Sequence, residues 1–278
     1  MNIHNITIVK NSGETELFDE NKLRESLRRS GASSEVIKQV VDELGVYLHD
    51  GMSSHKIYKK AYSILGNISM KDAGKYRLKK AILELGPTGF PFEQFVGAIL
   101  ATQGYNVTVG QLIEGKCVQH EVDVVAETKD KIIVVECKFH RTGSTKSDVK
   151  VPLYIRSRFN DIYDKWSQDG TLAGREYEAW VVTNTKFTSD AEQFGKCSGL
   201  VLKSWNYPFN NSLKDMVDAA GLHPITSLKT LSRRDKQQML EQGVVLCREI
   251  SEQVLLKSNI KRTKINKVLA EAKVLTEI

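Results

Sequence analysis

The stretch HEVDVVAETKDKIIVVECKFH, residues 120–140, gathers the side chains best suited to chemistry: Asp123, Glu136 and Lys138. Two β-branched runs flank Thr128-Lys129-Asp130-Lys131, which predicts a hairpin turning at Lys129-Asp130. In that register Asp123 faces Glu136 across the hairpin, and Glu121 faces Lys138. Alternation along a strand puts Glu136 and Lys138 on one face and Cys137 on the other. Opposed carboxylates among so many valines and isoleucines repel one another, and buried like charges need a cation or a shared proton. A hard divalent cation, Mg²⁺ or Mn²⁺, takes oxygen ligands and keeps waters and a substrate phosphate in its shell. It lowers the pKa of a bound water and stabilises charge growing on phosphorus. A lysine beside it orients that water or stabilises the oxyanion. A competing reading exists, since a lone Glu-x-Lys on a strand is commonly a surface ion pair, here Glu121 with Lys138.

The elements that must position these residues divide the chain in three. Residues 1–87 predict a small hairpin (residues 3–9 and 14–18 around a turn at 10–13) and then four helices. Their starts are marked by Asp19, by Ser33 or Ser34, by Ser53 or Ser54, and by Ser69 with Asp72. Gly86-Pro87-Thr88-Gly89 marks a boundary. Residues 88–209 predict a helix opening at Pro91, strands near 105–109, 119–126 and 131–139, a helix around 149–166, a strand at 177–183, a helix at 189–196 and a last strand at 200–205. That order is α/β with a mixed sheet flanked by helices. Residues 210–278 predict helices, with a capping box at Ser232-x-x-Asp235 and helical spacing over 244–256 and 261–274.

Charge follows the same division. Residues 1–87 carry about +3, residues 88–209 about −1 and residues 210–278 about +4, which together make the +6 of the whole chain. A middle segment that is not basic suits a domain concentrating carboxylates for a metal, with basic neighbours for a polyanion. The third segment, with Lys229, Arg233, Arg234, Lys236, Lys257, Lys261, Arg262, Lys264 and Lys267, could grip phosphates, pack against the catalytic domain or a second subunit, or present a solvated face. The four cysteines are scattered without a CxxC pair, which argues against a zinc site or a disulfide framework and for a reducing, cytoplasmic compartment. No apolar run reaches the roughly 18 residues of a membrane span, and the N-terminus does not read as a signal peptide.

Asp123 and Glu136-Cys137-Lys138, preceded by FPFEQFVGAILATQGYNVTV and followed by AWVVTNTKFTSDAEQFGKCSGLVLKSW, resemble the PD-(D/E)XK nuclease superfamily. The likeness is to Mrr-type restriction endonucleases and, more distantly, archaeal Holliday-junction resolvases, and covers about residues 90–207. It implies a restriction-endonuclease-like fold and divalent-metal hydrolysis of DNA, with Asp123, Glu136 and Lys138 catalytic and Glu93, Asp123 and Glu136 on the metal. Glu93 is also open to reading as a carboxylate favoured by a helix start. His120-Glu121-Val122 stands where the family name has a proline, and residues 141–150 run long, which obscures the positions downstream. Arg156 and Arg158 there are open to phosphate contact or to a solvated helix face.

Residues 3–85 resemble an ATP-cone, the regulatory nucleotide module of ribonucleotide reductases and their repressor, through IVKNSGETELFDENKL, DGMSSHKIY and KYRLKKAILELG. The resemblance implies ATP or a related nucleotide as effector, with Lys10 and Lys22 on its phosphates and Ser53, Ser54 and Arg77 in matching stretches. Asn11 replaces a basic residue usual in that family, which puts affinity or nucleotide choice in doubt. The alternative is that Lys10 and Lys22 are solvated and the module serves as a scaffold. The expectation is a metal-dependent DNA endonuclease in restriction or defence, acting as a homodimer or higher oligomer and gated by nucleotide. The alternatives are a branched-DNA repair or recombination nuclease and a non-catalytic nucleotide-sensing DNA-binding regulator.

Overall fold

The computed structural model describes residues 6–10 and 13–276. The predicted strand start at residues 3–5, and Asn11 within the predicted turn, lie outside them. The chain is mixed α/β.

In the first segment, β1 (Thr7–Val9) and β2 (Thr15–Leu17) pair antiparallel. β3 (Met52–Ser53), which sequence patterning missed because two residues carry no period, joins β1 in parallel. Four helices follow their caps. Asp19 starts α1 (Glu20–Arg28), Ser33 starts α2 (Ser34–Gly45), Ser53 starts α3 (Ser54–Ile68) and Ser69 starts α4 (Met70–Leu83). In each case the side-chain oxygen accepts a main-chain N–H of the first turn that the helix itself cannot satisfy. Leu27, Val40, Leu44 and Leu65 are buried between them.

The second segment begins with α5 (Phe90–Thr102), with Pro91 in its first turn. Then come β4 (Asn106–Glu114), β5 (Gln119–Glu127), β6 (Lys131–Lys138) and β7 (Lys146–Ser147). After them come α6 (Lys150–Gln168), β8 (Glu176–Thr183), β9 (Lys186–Phe187), α7 (Ser189–Ser198) and β10 (Val201–Lys203). The main sheet runs β10-β8-β6-β5-β4. β4, β5 and β6 are antiparallel, while β6, β8 and β10 are parallel, so the sheet is mixed as expected. β6 is central and covered on both faces, which explains its unbroken Ile132-Ile133-Val134-Val135 run. On one face Phe92, Phe95 and Ile99 of α5 meet Val124, Ala126, Ile133 and Val135. On the other, Ile155, Phe159 and Ile162 of α6 meet Val122, Val134 and Val181.

The third segment contains α8 (Leu213–Ala220), α9 (Arg233–Glu241), α10 (Glu252–Lys257) and α11 (Arg262–Thr276). The capping box at Ser232 and Asp235 forms in both directions. The continuous helical spacing read over residues 244–256 does not give one helix. Ile225 N–H bonds the Val245 carbonyl at 2.9 Å and Cys247 N–H bonds the His223 carbonyl at 2.8 Å, which holds this stretch extended. The Glu249 carboxylate then takes the N–H groups of Val245 and Leu246, and only a 3₁₀ turn at Cys247–Glu249 precedes α10. This segment shares one apolar cluster with Leu78, Ile82 and Leu85 at the end of the first segment and with α5 and the sheet. Thr226 Oγ1 donates to the Ala81 carbonyl of α4 at 2.6 Å inside that cluster. Among the described residues, no helix is long and apolar enough to cross a membrane, and Cys117, Cys137, Cys197 and Cys247 are free.

Candidate active site

The hairpin turns where Thr128-Lys129-Asp130-Lys131 predicted. Thr128 N–H bonds the Lys131 carbonyl, and Thr128 Oγ1 accepts from Asp130 and Lys131. The pairs run from Glu127↔Ile132 to Val124↔Val135, the predicted register, and there the ladder stops. One step on, Asp123 Oδ2 accepts the Cys137 N–H at 2.7 Å, a bond a main-chain carbonyl would otherwise take. On the other edge of β5 the register passes from Val109↔Val124 to Gln111↔Val122, without a pair for Asp123. Gly110 lies in that gap with φ +66°. The strands reverse face there: Val109 and Val124 pack toward α5, while Ile113 and Val122 pack toward α6. A glycine bend at this point takes Asp123 out of both ladders and frees its carboxyl group.

Glu136 is 5% exposed. Its Oε1 accepts from Lys138 Nζ at 2.5 Å and its Oε2 from Arg158 of α6 at 2.8 Å. The Glu121–Lys138 surface pair is therefore not what forms: Lys138 turns to the carboxylate two residues back on its own face. Arg158 also donates to the Glu121 carbonyl, and its guanidinium lies 5.5 Å from the Tyr154 ring centroid. So Arg158 clamps the open end of the hairpin; it is not a solvated face.

Glu93, in the first turn of α5, feels the same group of charges. Burial first, then the negative charges of Asp123, Glu121 and Glu136, push its carboxyl up to about 7. Asp123 is pushed up to about 6 by burial and by Glu136, against the Cys137 N–H, Lys138 and Arg158. Burial above all, with the neighbouring carboxylates, makes these groups keep their protons to a higher pH than in water. Cys137 between them is buried, which pushes its thiol well up and leaves it inert.

The site thus brings Asp123, Glu136 and Lys138 together, with Glu93 within electrostatic reach. Among the described residues, no group of three or more His, Cys, Asp or Glu side chains could hold a metal ion, so the expected Glu93–Asp123–Glu136 set does not form a closed cage. The donors nevertheless suit a hard cation. Mg²⁺ commonly uses one or two carboxylates and completes its shell with water and substrate phosphate, and two acids with raised pKa values gain from a cation.

Polar groups that sequence reasoning passed over hold the strand end. Thr183 Oγ1 donates to the Lys138 carbonyl at 2.8 Å. Asn184 Oδ1 accepts from His140 N–H and its Nδ2 donates to the His140 carbonyl, both at 2.8 Å. Their signal was the polar run Thr183-Asn184-Thr185 directly after an apolar strand, all three residues being buried.

In the first segment Lys10 and Lys22 converge on one carboxylate. Lys10 Nζ lies 2.9 Å from Glu16, and Lys22 Nζ lies 3.9 Å from Glu16 and 3.8 Å from Asp19. The bond from Glu16 raises the Lys10 pKa. A phosphate there must compete with Glu16. Lys22 and Ser54 line a small cavity with Tyr58 and Tyr76, whose rings stack at 5.0 Å. The same tyrosines border a neighbouring cavity of about 370 Å³ with Arg29, Lys75, Lys79, Lys80 and Lys214 in its wall and, among the described residues, no carboxylate. Ser53 is spent as the cap of α3, and Arg77 is bonded to Glu84 at 2.6 Å.

The fold and site define a mixed α/β protein with an acidic cluster at the open end of a central hairpin. Residues 223–276 match the family model described as AF1548-like, C-terminal. An uncharacterized protein of Archaeoglobus fulgidus is 30% identical over 178 residues, 63% of this chain and 96% of the archaeal one. The chain belongs to the family of that archaeal protein. The crystal structure of AF1548, a protein of unknown function, matches with a TM-score of 0.56 at 28% identity over 68% of this chain and 98% of the other. Can2 from Sulfobacillus thermosulfidooxidans, solved with cyclic tetra-adenylate, gives a TM-score of 0.32 at 15% identity, over 69% of this chain and 60% of that one, too low to carry an argument.

Proposed function

We propose that this chain is a metal-dependent DNA endonuclease with a restriction-endonuclease-like catalytic unit, resembling the Mrr type, and an ATP-cone-like unit through which a nucleotide regulates it. The observation carrying this reading is the meeting of Asp123, Glu136 and Lys138 where the β5–β6 ladder opens. Asp123 and Glu136, with Glu93 beside them, would hold Mg²⁺ or Mn²⁺. That cation supplies an activated water and charge stabilisation at phosphorus. Lys138 lies beside Glu136 with its ammonium ready to orient a water or neutralise a phosphate oxygen. Arg158 is a positioning residue, holding Glu136 from α6. Thr183 and Asn184 fix the main chain of the segment that delivers Lys138. Four free thiols suit the reducing cytoplasm, and cutting both strands of a duplex calls for a homodimer or two events.

A second reading, a nucleotide-sensing DNA-binding regulator without catalysis, is favoured by one observation. Both Glu136 oxygens are already engaged, by Lys138 and Arg158.

Incubating the full chain with plasmid and four-way-junction DNA, in Mg²⁺ or Mn²⁺ with and without ATP, separates the readings. The endonuclease reading expects nicking or linearisation that falls on the order of a hundredfold or more in Asp123→Ala and in Lys138→Ala. Retained DNA binding with no cutting of either substrate under any condition would transfer the assignment to the regulator.

A further inference from the structure

A cavity of about 560 Å³ lies where the three segments meet; of the residues tied above to nucleotide or metal, its described wall includes only Arg77. Its wall carries Arg77 from the middle of α4 and Glu84 at its end, Arg141 from the loop after β6, and Lys229, Arg233 and Lys236 from the third segment. Among the described residues of the wall Glu84 is the single carboxylate, and it is already paired with Arg77 at 2.6 Å. The cations therefore exceed what the wall neutralises.

Lys236 is buried, and so is one nitrogen of the half-buried Arg77. Lys236 is 8% exposed, and its ammonium donates to the Thr226 carbonyl at 2.9 Å, a neutral acceptor. Arg77 Nε is buried without an acceptor. Buried cations without full compensation persist where an anion repays them. The volume falls within the range of roughly 300–1,000 Å³ usual for small-molecule sites. Among the described residues no aromatic ring lines the cavity, so that wall recognises charge and offers a base nothing to stack on. Planar guanidiniums are matched to phosphate oxygens.

We infer that this cavity binds a phosphate group, clamped among Arg77, Arg141, Arg233 and Lys236. The phosphate belongs either to a free phosphate ester or to a nucleic-acid backbone. Arg141 stands three residues beyond Lys138, so a bound phosphate ties the third segment to the loop leaving the candidate catalytic strand. The inference does not depend on DNA cutting.

The test is titration calorimetry of the full chain with inorganic pyrophosphate, without divalent cations. Wild type is compared with the double variant Arg141→Gln, Arg233→Gln, in which both altered side chains are exposed and leave the core intact. Wild type should bind, and the double variant should bind at least about tenfold more weakly. A short single-stranded oligodeoxynucleotide is then added to the loaded protein. Displacement of pyrophosphate identifies a backbone phosphate as the source, and lack of displacement a free ester; both sustain the site. Failure of wild type to bind pyrophosphate, or equal affinity in the double variant with an unchanged melting curve, would overturn it. A chain that cuts no DNA would leave this titration unaffected.

Discussion

At the scale of single residues, Asp123 and Glu93 set the sign of a pH dependence. Their folded values, about 6 and about 7, lie above the ordinary 3.8 and 4.5. The folded chain binds these protons more tightly than the unfolded chain does. Each group's contribution to stability is therefore complete below its unfolded value and is lost as pH rises through its folded value. The metal-free protein should lose stability between about pH 4 and pH 7 on their account. Asp123→Asn keeps an acceptor for the Cys137 N–H and removes the charge. Its melting temperature should exceed that of wild type by about 3 °C or more at pH 8, with the gain gone near pH 4. Adding Mg²⁺ at pH 8 should raise wild type and leave the variant where it was. A difference that stays constant across pH would show that Asp123 is not under electrostatic stress.

At the scale of elements, the hairpin was legible because two β-branched runs and a four-residue turn leave one register that buries both. The bend that makes Asp123 available was not. Gly110 lies just past the strand predicted at 105–109, whereas β4 runs on to Glu114, and its positive φ acquires meaning only opposite Asp123. A Cβ at Gly110 would meet open space apart from Phe90 at 3.9 Å, so the cost of Gly110→Ala is conformational. It should destabilise by about 1–2 kcal/mol, measured by urea unfolding, and should lower metal-dependent cutting more than it lowers DNA binding. Unaltered stability would mean that the strand tolerates a flatter path. Arg158 was equally hidden. It comes from a helix 22 positions after Glu136, and no local pattern distinguishes it from Arg156.

At the scale of the whole molecule, the charges of the helical third segment left open a basic appendage or a segment packed on the catalytic domain. In the structure its apolar side chains complete a cluster that begins in α4 and α5. Glu271, 5% exposed, holds the turn before α9 by accepting from Lys229 N–H, Thr230 N–H and Thr230 Oγ1. Lys229 reaches into the first segment, its ammonium 4.3 Å from the Tyr62 ring centroid in the notch that Gly66 leaves. A chain ended after residue 209 would expose Leu78, Ile82 and Leu85. It should bind a hydrophobic dye and lose its single cooperative melt. A truncated chain that melts sharply and stays monomeric would show the first two segments to be self-sufficient.

The sequence by itself determined what is local. Serine and aspartate caps set where helices begin, because an unsatisfied N–H takes the nearest side-chain oxygen. The register held from Glu127 opposite Ile132 to Val124 opposite Val135, because pleat and turn fix which residues are neighbours; beyond it Asp123 leaves the ladder and takes the Cys137 N–H. Tertiary structure alone decided which charge answers which. Lys138 and Arg158 both go to Glu136, Lys10 and Lys22 to Glu16, and Lys236 into a cavity built from three segments. Long cationic side chains reach many partners equally near in sequence, and only packing selects among them.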